Sequence, residues 1–268
     1  MLKKVTFLIY ICTLLFFSRT SAQIDYAFKH IDTNNGLSQS TVYSILQDHT
    51  GFIWMGTKVG LCRYDGNFFK VYSHNNSKLG SDFITSLYQS EDDLIWVGTD
   101  QGVWIYTPSA DSFRPLKAIS DRKSRITGNV NFIAGHRGRI YIGVNEQGLF
   151  VYDLKTKRLQ NYTFPHHPNI ASIGFGVDNR VWLGFYGGGL WYTTPQFQSL
   201  TPFVENGRQP FRGCIVSAIQ EVNPTMIFVG TDKRGLSIIN PKHAAVTDVK
   251  ARENGYDIFV RALSVKGN

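Results

Sequence analysis

The stretch GFIWMGTKVGLCRYDG, Gly51–Gly66, decides the fold because it comes back. Leu94–Ser109 reads LIWVGTDQGVWIYTPS, with the same aromatic, the same glycine after it and the same second glycine. Aligning the first glycine along the chain gives Gly56, Gly98, Gly143, Gly184 and Gly230, at spacings of 42, 45, 41 and 46 residues. The segments around them are FIWMGT, LIWVGT, RIYIGV, RVWLGF and MIFVGT.

Each unit contains three further apolar segments. Upstream lie VYSIL (from Val42), ITSLY (Ile84), VNFIA (Val130), IASIG (Ile170) and VSAIQ (Val216). The second glycine opens GLCRY, GVWIY, GLFVY, GLWYT and GLSII. An aromatic-led or aliphatic segment closes the unit at Phe68, Phe113, Leu159 and Phe197, with a weaker counterpart at Ala245–Val249. All are short, β-branched and aromatic, and Gly, Asn and Asp turns separate them, so they read as strands and not as helix faces. Four strands in units of this length are the blade of a β-propeller. The expected fold is all-β: five four-stranded antiparallel blades at about 42–72, 84–117, 130–162, 170–202 and 216–250. They belong to a ring expected to hold seven.

The segment GVWIY tests this architecture. Successive strand residues point to opposite faces, and here both sets are apolar. A sheet covered on both sides fits a blade held between two neighbours. The aromatics Trp54, Trp96, Tyr141, Trp182 and Phe228 share one register, which assigns them to blade-to-blade packing and not to a ligand. The glycines read as turn or close-approach positions. The GxxxxG spacing is no phosphate loop, since neither Gly-Lys-Ser/Thr nor a helix signal follows.

Residues 1–22 stand apart. Lys3 and Lys4 precede an apolar run, Val5–Phe17, and small residues end at Ala22, the layout of a signal peptide. Its removal takes Lys3, Lys4 and Arg19 and no acidic residue, leaving 25 basic against 20 acidic residues, a net charge of +5. No basic run exists, so nucleic acid is excluded as a partner. Cys12 lies in the leader, and Cys62 and Cys214 are too isolated for a disulfide framework or a zinc site. They read as packing residues.

Both ends look like parts of further blades. FKHIDTNNGLSQSTVYSI from Phe28 parallels FKVYSHNNSKLGSDFITSL from Phe69, which predicts an outer strand at 26–32. IFVRALSV from Ile258 predicts an inner strand at 258–265. The chain, with its propeller domain at 23–268, is therefore expected to be the front part of a longer protein.

The run GLSQSTVYSILQDHTGFIWMGTKVGLCRYDG, Gly36–Gly66, closely resembles the repeat of the two-component regulator propeller, and the likeness extends from Phe28 to the end of the chain. The resemblance implies the N-terminal periplasmic sensor of a Bacteroidetes hybrid two-component histidine kinase, exported and anchored through its parent chain. It implies an oligosaccharide or polysaccharide fragment as ligand, and signalling domains later in the parent chain as partners, with a homodimer as a further arrangement. The kinase, receiver and DNA-binding parts of such proteins are not read in these residues, so the chain itself is expected not to be an enzyme and to need no cofactor.

Positions that vary among the units are the better ligand candidates. The loop between second and third segments carries Lys58, Asp100, Gln101, Asn145, Glu146, Tyr186, Asp232 and Arg234, whose polar groups suit sugar hydroxyls while Tyr186 suits a sugar ring. The alternative reading is a secreted propeller hydrolase or lyase acting on polysaccharide. It needs paired carboxylates or a positioned base, and neither is legible, so no catalytic and no metal-binding residue is assigned. His166-His167, in TFPHHPN, reads as a solvated turn, and so does His136 in GHRGR.

Overall fold

The computed structural model describes residues 28–117, 125–167, 169–249, 252–253 and 256–264. The chain divides into two units, 1–31 and 32–268. Of the first, Phe28–Ile31 is described, and it forms no strand, so the outer strand expected at 26–32 is not formed in its described part. A strand exists only where a neighbour shares its ladder, and sequence likeness to Phe69–Tyr72 does not supply that neighbour. Asp32 instead caps a single 3-10 turn, Thr33–Asn35, by accepting from the Asn34 N–H at 2.8 Å.

The second unit holds five four-stranded antiparallel sheets, each in simple sequential order, and one short two-stranded ladder, Arg252–Glu253 with Tyr256–Asp257. Blade 1 is β1 (Ser44–Gln47), β2 (Ile53–Thr57), β3 (Gly60–Tyr64) and β4 (Phe69–Tyr72). Blade 2 is β5 (Ile84–Gln89), β6 (Ile95–Thr99), β7 (Gly102–Thr107) and β8 (Ser112–Pro115). Blade 3 is β9 (Val130–His136), β10 (Arg139–Val144), β11 (Gly148–Asp153) and β12 (Leu159–Tyr162). Blade 4 is β13 (Ile170–Phe175), β14 (Val181–Phe185), β15 (Gly189–Thr193) and β16 (Thr201–Pro202). Blade 5 is β17 (Val216–Asn223), β18 (Met226–Thr231), β19 (Leu236–Asn240) and β20 (Ala245–Val249). No helix among the described residues is long and apolar enough to cross a membrane.

The first strand of each blade packs on the first strand of the next, β1 on β5, β5 on β9, β9 on β13 and β13 on β17, which is the radial stacking of a propeller. Between the blades lie four apolar cores. Trp54 packs with Ile84, Ile95 and Tyr106; Trp96 with Ile133, Ile140 and Phe150; Tyr141 with Val181, Leu183 and Phe185; Trp182 with Ile219, Ile227 and Val229. The four aromatics are at most 2% exposed, whereas Phe228, in the fifth blade, is half-buried.

The two repeated glycines have different causes. At Gly56, Gly98 and Gly230 the next segment presses on the backbone: an added Cβ would lie 2.7 Å from Ile84, 2.7 Å from Val130 and 2.6 Å from Val260. The second glycine has a left-handed backbone in every blade, from φ +64° at Gly235 to +114° at Gly102, which a side chain would strain. The threonine of the GT pair closes the same turn, with Thr57 Oγ1 donating to Gly60 O at 2.9 Å and Thr99 Oγ1 to Gly102 O at 3.0 Å.

A polar stitch crosses each seam beside the glycine contact. Leu87 N–H donates to Ser44 Oγ (3.0 Å), Ile133 N–H to Ser86 Oγ (2.9 Å), Asn131 Nδ2 to Ile170 O (2.8 Å) and Ser172 Oγ to Val216 O (2.6 Å). Ser217 Oγ donates likewise to Val260 O. Ile258–Ser264 thus lies against blade 5 where a first strand would lie, but it forms no ladder, since no second strand pairs with it among the described residues. The indoles are also tied. Trp54 Nε1 donates to Asp48 (2.7 Å) and Trp96 Nε1 to Ser90 Oγ (2.9 Å). Blade 4 has Gly176 at that register, and the buried Trp182 Nε1 has no hydrogen-bond partner among the described residues.

At the outer edge, Asp111 joins blades 1 and 2. It accepts from the hydroxyls of Tyr72 (2.6 Å) and Tyr106 (2.8 Å) and pairs with Lys70. Burial opposes its charge, but Lys70 and the two hydroxyls outweigh that and hold its pKa at about 2. Cys62 and Cys214 are buried free thiols, as packing residues should be.

Three measurements follow from these seams. Trp96→Ala should lower the unfolding free energy by ~3–5 kcal/mol in urea titration, the cost of a large aromatic truncation in a core. Gly98→Ala should cost ~1–3 kcal/mol, because its methyl overlaps Val130. The third concerns acid. A carboxylate whose pKa is depressed on folding contributes stability that is complete above its unfolded value near 3.8 and is lost as the pH falls through about 2. Asp111→Asn should therefore flatten the decline of stability between about pH 4 and pH 2, read from urea midpoints in that range.

Candidate functional site

The turn between second and third strands meets, in every blade, the segment that leads into a first strand. Gly60 N–H donates to Asp82 O, Asn145 N–H to Asn129 O, Tyr186 N–H to Asn169 O and Asp232 N–H to Ile215 O. The eight loop residues singled out in the sequence thus sit at corresponding ends of the blades.

Seven of them are tied to protein neighbours, five through their side chains and Gln101 and Glu146 through their backbone N–H groups. Lys58 Nζ lies over the rings of Tyr43 (5.7 Å) and Phe83 (5.3 Å). Asp100 accepts the Ser81 hydroxyl at 2.5 Å, and the Gln101 N–H donates to Thr99 Oγ1 at 3.1 Å. Asn145 Oδ1 accepts from Asn131 at 2.8 Å, and the Glu146 N–H donates to Asn169 Oδ1 at 2.7 Å. Asp232 accepts the Ile215 N–H at 2.8 Å. Arg234 pairs with Asp248 at 2.6 Å and donates to Pro210 O at 2.8 Å.

Tyr186 is placed differently. Its side chain is half exposed at the mouth of a cavity of about 550 Å³, lined also by His166, His167, Trp191, Gln209 and Arg212. A second cavity of about 500 Å³ shares His166, His167 and Trp191 and runs outward past Tyr162, Phe164, Phe197 and Leu200. Both volumes fall within the roughly 300–1,000 Å³ of small-ligand sites.

Blade 4 departs from the repeat beside the cleft. In blades 1, 2 and 5 a threonine clamps the turn, whereas blade 3 has Val144 and blade 4 Phe185 there, so the Tyr186–Gly188 turn lacks that fastening. The ring of His167 fills the place instead, 5.1 Å from Phe185 and 4.9 Å from Trp191. His167 is half-buried, so it is a packed side chain and not the solvated turn residue expected from the sequence. Burial, and then the neighbouring His166, lower its pKa and favour the neutral ring. Trp104 in blade 2 has the register of Trp191 and is likewise half-buried, but Gly80 lies against its ring, where an added Cβ would be 1.7 Å away. Trp191 lacks that cover and is fixed instead by its Nε1 donating to Gly188 O at 2.8 Å.

Phe197 adds strain to the outer part. It has a left-handed backbone, φ +53°, at a turn that is left-handed in every blade, through Gly66, Asp111, Lys157 and Ala244 in the others. A bulky side chain is costly there, and such outliers gather at functional sites. Its ring rests 4.6 Å from Tyr162. His136 is likewise not a free turn residue; it stacks on Phe175 at 4.4 Å, and burial, followed by Arg137, lowers its pKa. No group of three or more potential metal ligands is found among the described residues.

Comparison with known proteins identifies the repeat. Residues 36–58 and 78–101 match the family model described as two component regulator propeller. Over 51 residues, 19% of this chain and 4% of the relative, the sequence is 45% identical to histidine kinase P4 of Formosa agariphila. The extracellular domain of BT4673 of B. thetaiotaomicron, described as a one component system, superposes with a TM-score of 0.63 at 23% identity, over 80% of this chain and 28% of that one. Virginiamycin B lyase of Staphylococcus aureus has a TM-score of 0.61 at 14% identity, over 80% of this chain and 71% of that one, and shares the fold alone. The chain spans a small part of the kinase and of the receptor domain it matches. The match to the two component regulator propeller model falls in the first two blades, and the same aromatic and glycine pattern recurs in the other three.

Proposed function

We propose that the chain is the ligand-sensing propeller region of a signalling receptor, exported to the periplasm, and that the cleft along blade 4, walled by its connections to blades 3 and 5, takes an oligosaccharide. The observation that carries this reading is the cleft itself: two joined cavities with exposed Tyr186, half-buried Trp191 and Phe197 beside polar Gln209 and Arg212. Aromatic faces stack on the apolar faces of sugar rings, while convergent polar groups fix orientation. The repeat family and the kinase relative support a role in signalling, with occupancy passed to a kinase in the parent chain. The polar turns carrying Lys58, Asp100, Gln101, Asn145, Glu146, Asp232 and Arg234 would shape the same end of the blades, with Tyr186 the direct contact.

Tryptophan fluorescence and calorimetry with oligosaccharides released from plant and algal polysaccharides test the reading. A ligand should perturb Trp191 emission. Tyr186→Ala should weaken it about tenfold, equivalent to about 1.4 kcal/mol, with an unchanged urea midpoint because the side chain is half exposed. Binding that is indifferent to Tyr186 would place the ligand elsewhere.

A further inference from the structure

The inner cavity carries positive charge and no negative charge. Of the side chains around it, Arg212 has a fixed charge and five N–H donors, whereas His166, His167, Gln209 and the Tyr186 hydroxyl can each both donate and accept. No aspartate or glutamate lines either cavity. A neutral sugar calls for no cation in its wall, whereas an anionic group on the ligand supplies the carboxylate or sulfate partner that the described residues do not.

The backbone at Arg212 is fixed by its turn. The turn that carries it, with the Arg212 N–H donating to Gln209 O at 3.2 Å, approaches blade 4 so closely that a Cβ on Gly189 would lie 3.0 Å from Phe211 O. The guanidinium is exposed and has no carboxylate partner among the described residues, unlike Arg234, which is paired with Asp248. Lys233 Nζ, donating to Gly213 O at 2.6 Å, adds a second cation beside the turn. The nearby Asp232 carboxylate faces away, onto the Ile215 N–H.

We infer that the oligosaccharide of this cleft is acidic, and that Arg212 reads its carboxylate or sulfate oxygens while Tyr186 and Trp191 hold its rings. The inference rests on the glycan reading above and adds the class of sugar and its specificity-determining residue. A planar guanidinium matches a carboxylate with two parallel hydrogen bonds, and such charge-assisted bonds are roughly twice as strong as neutral ones.

The test is fluorescence titration of the protein with tetragalacturonate, tetramannuronate, a chondroitin tetrasaccharide with and without its sulfates, cellotetraose and mannotetraose. At least one acidic probe should bind about tenfold or more tighter than either neutral one. Comparing the two chondroitin probes separates sulfate from uronate recognition. Arg212→Gln should lose about tenfold for the acidic probe and flatten its dependence on sodium chloride, since exposed charges are screened within a Debye length of about 10 Å at 0.1 M. Tyr186→Ala should weaken acidic and neutral probes alike. Equal or tighter binding of a neutral probe, or an Arg212→Gln variant with unchanged affinity and salt slope, overturns the acidic inference and leaves the glycan site standing. Binding of no tetrasaccharide removes both.

Discussion

The structure depends on one contact that recurs along the chain: a β-branched residue of the next segment seated on a glycine of the preceding blade, with blade 3 the exception, where Gly143 meets Phe132 of its own sheet. Ile84 sits on Gly56, Val130 on Gly98, Val216 on Gly184 and Val260 on Gly230. The missing Cβ lets the strands approach, and the approach brings Trp54, Trp96, Tyr141 and Trp182 against the neighbouring sheets. Aromatic burial supplies most of the cohesion, and the serine stitches give it direction. A blade is an antiparallel sheet with two apolar faces, so without a neighbour it has nothing to bury them against.

The candidate cleft lies where this repetition lapses. The threonine clamp gives way to Phe185, and in place of the cover that Gly80 gives Trp104 the ring of His167 lies beside Trp191. Both changes leave a wall of the cleft. The rest of the ring segment can afford the loss because the inter-blade cores hold the sheets independently of it. The scaffold is shared with proteins of quite different activity, virginiamycin B lyase among them, so the argument for function rests on the cleft and not on the fold.

Much of the scaffold could be read in advance because a repeat states the same physical requirement several times. Five aromatics in one register, five glycine pairs and both-face apolar strands have one economical explanation, and the five sheets follow from it. Tyr186 was legible as a ligand candidate because it breaks the polar character of its loop. Its partners were not. Trp191 looks the same as Trp104 in the sequence, and His167 sits in a segment with every mark of a plain turn. Arg212 lies in a long connection with no repeat to compare it with. The serine stitches were present as VYS, ITS and IAS but carry no meaning until the neighbouring strand is in place.

The sequence by itself determined the period, the strands, their antiparallel order and the residues that face a neighbour, because these depend on contacts within about forty residues and recur in each unit. Only the tertiary structure decided what covers each aromatic. Gly80 closes over Trp104 whereas His167 leaves Trp191 beside open space, and that difference arises between connections and blades far apart in the chain. It decided also that Phe28–Ile31 is no strand, since a strand is defined by its partner and not by its own residues.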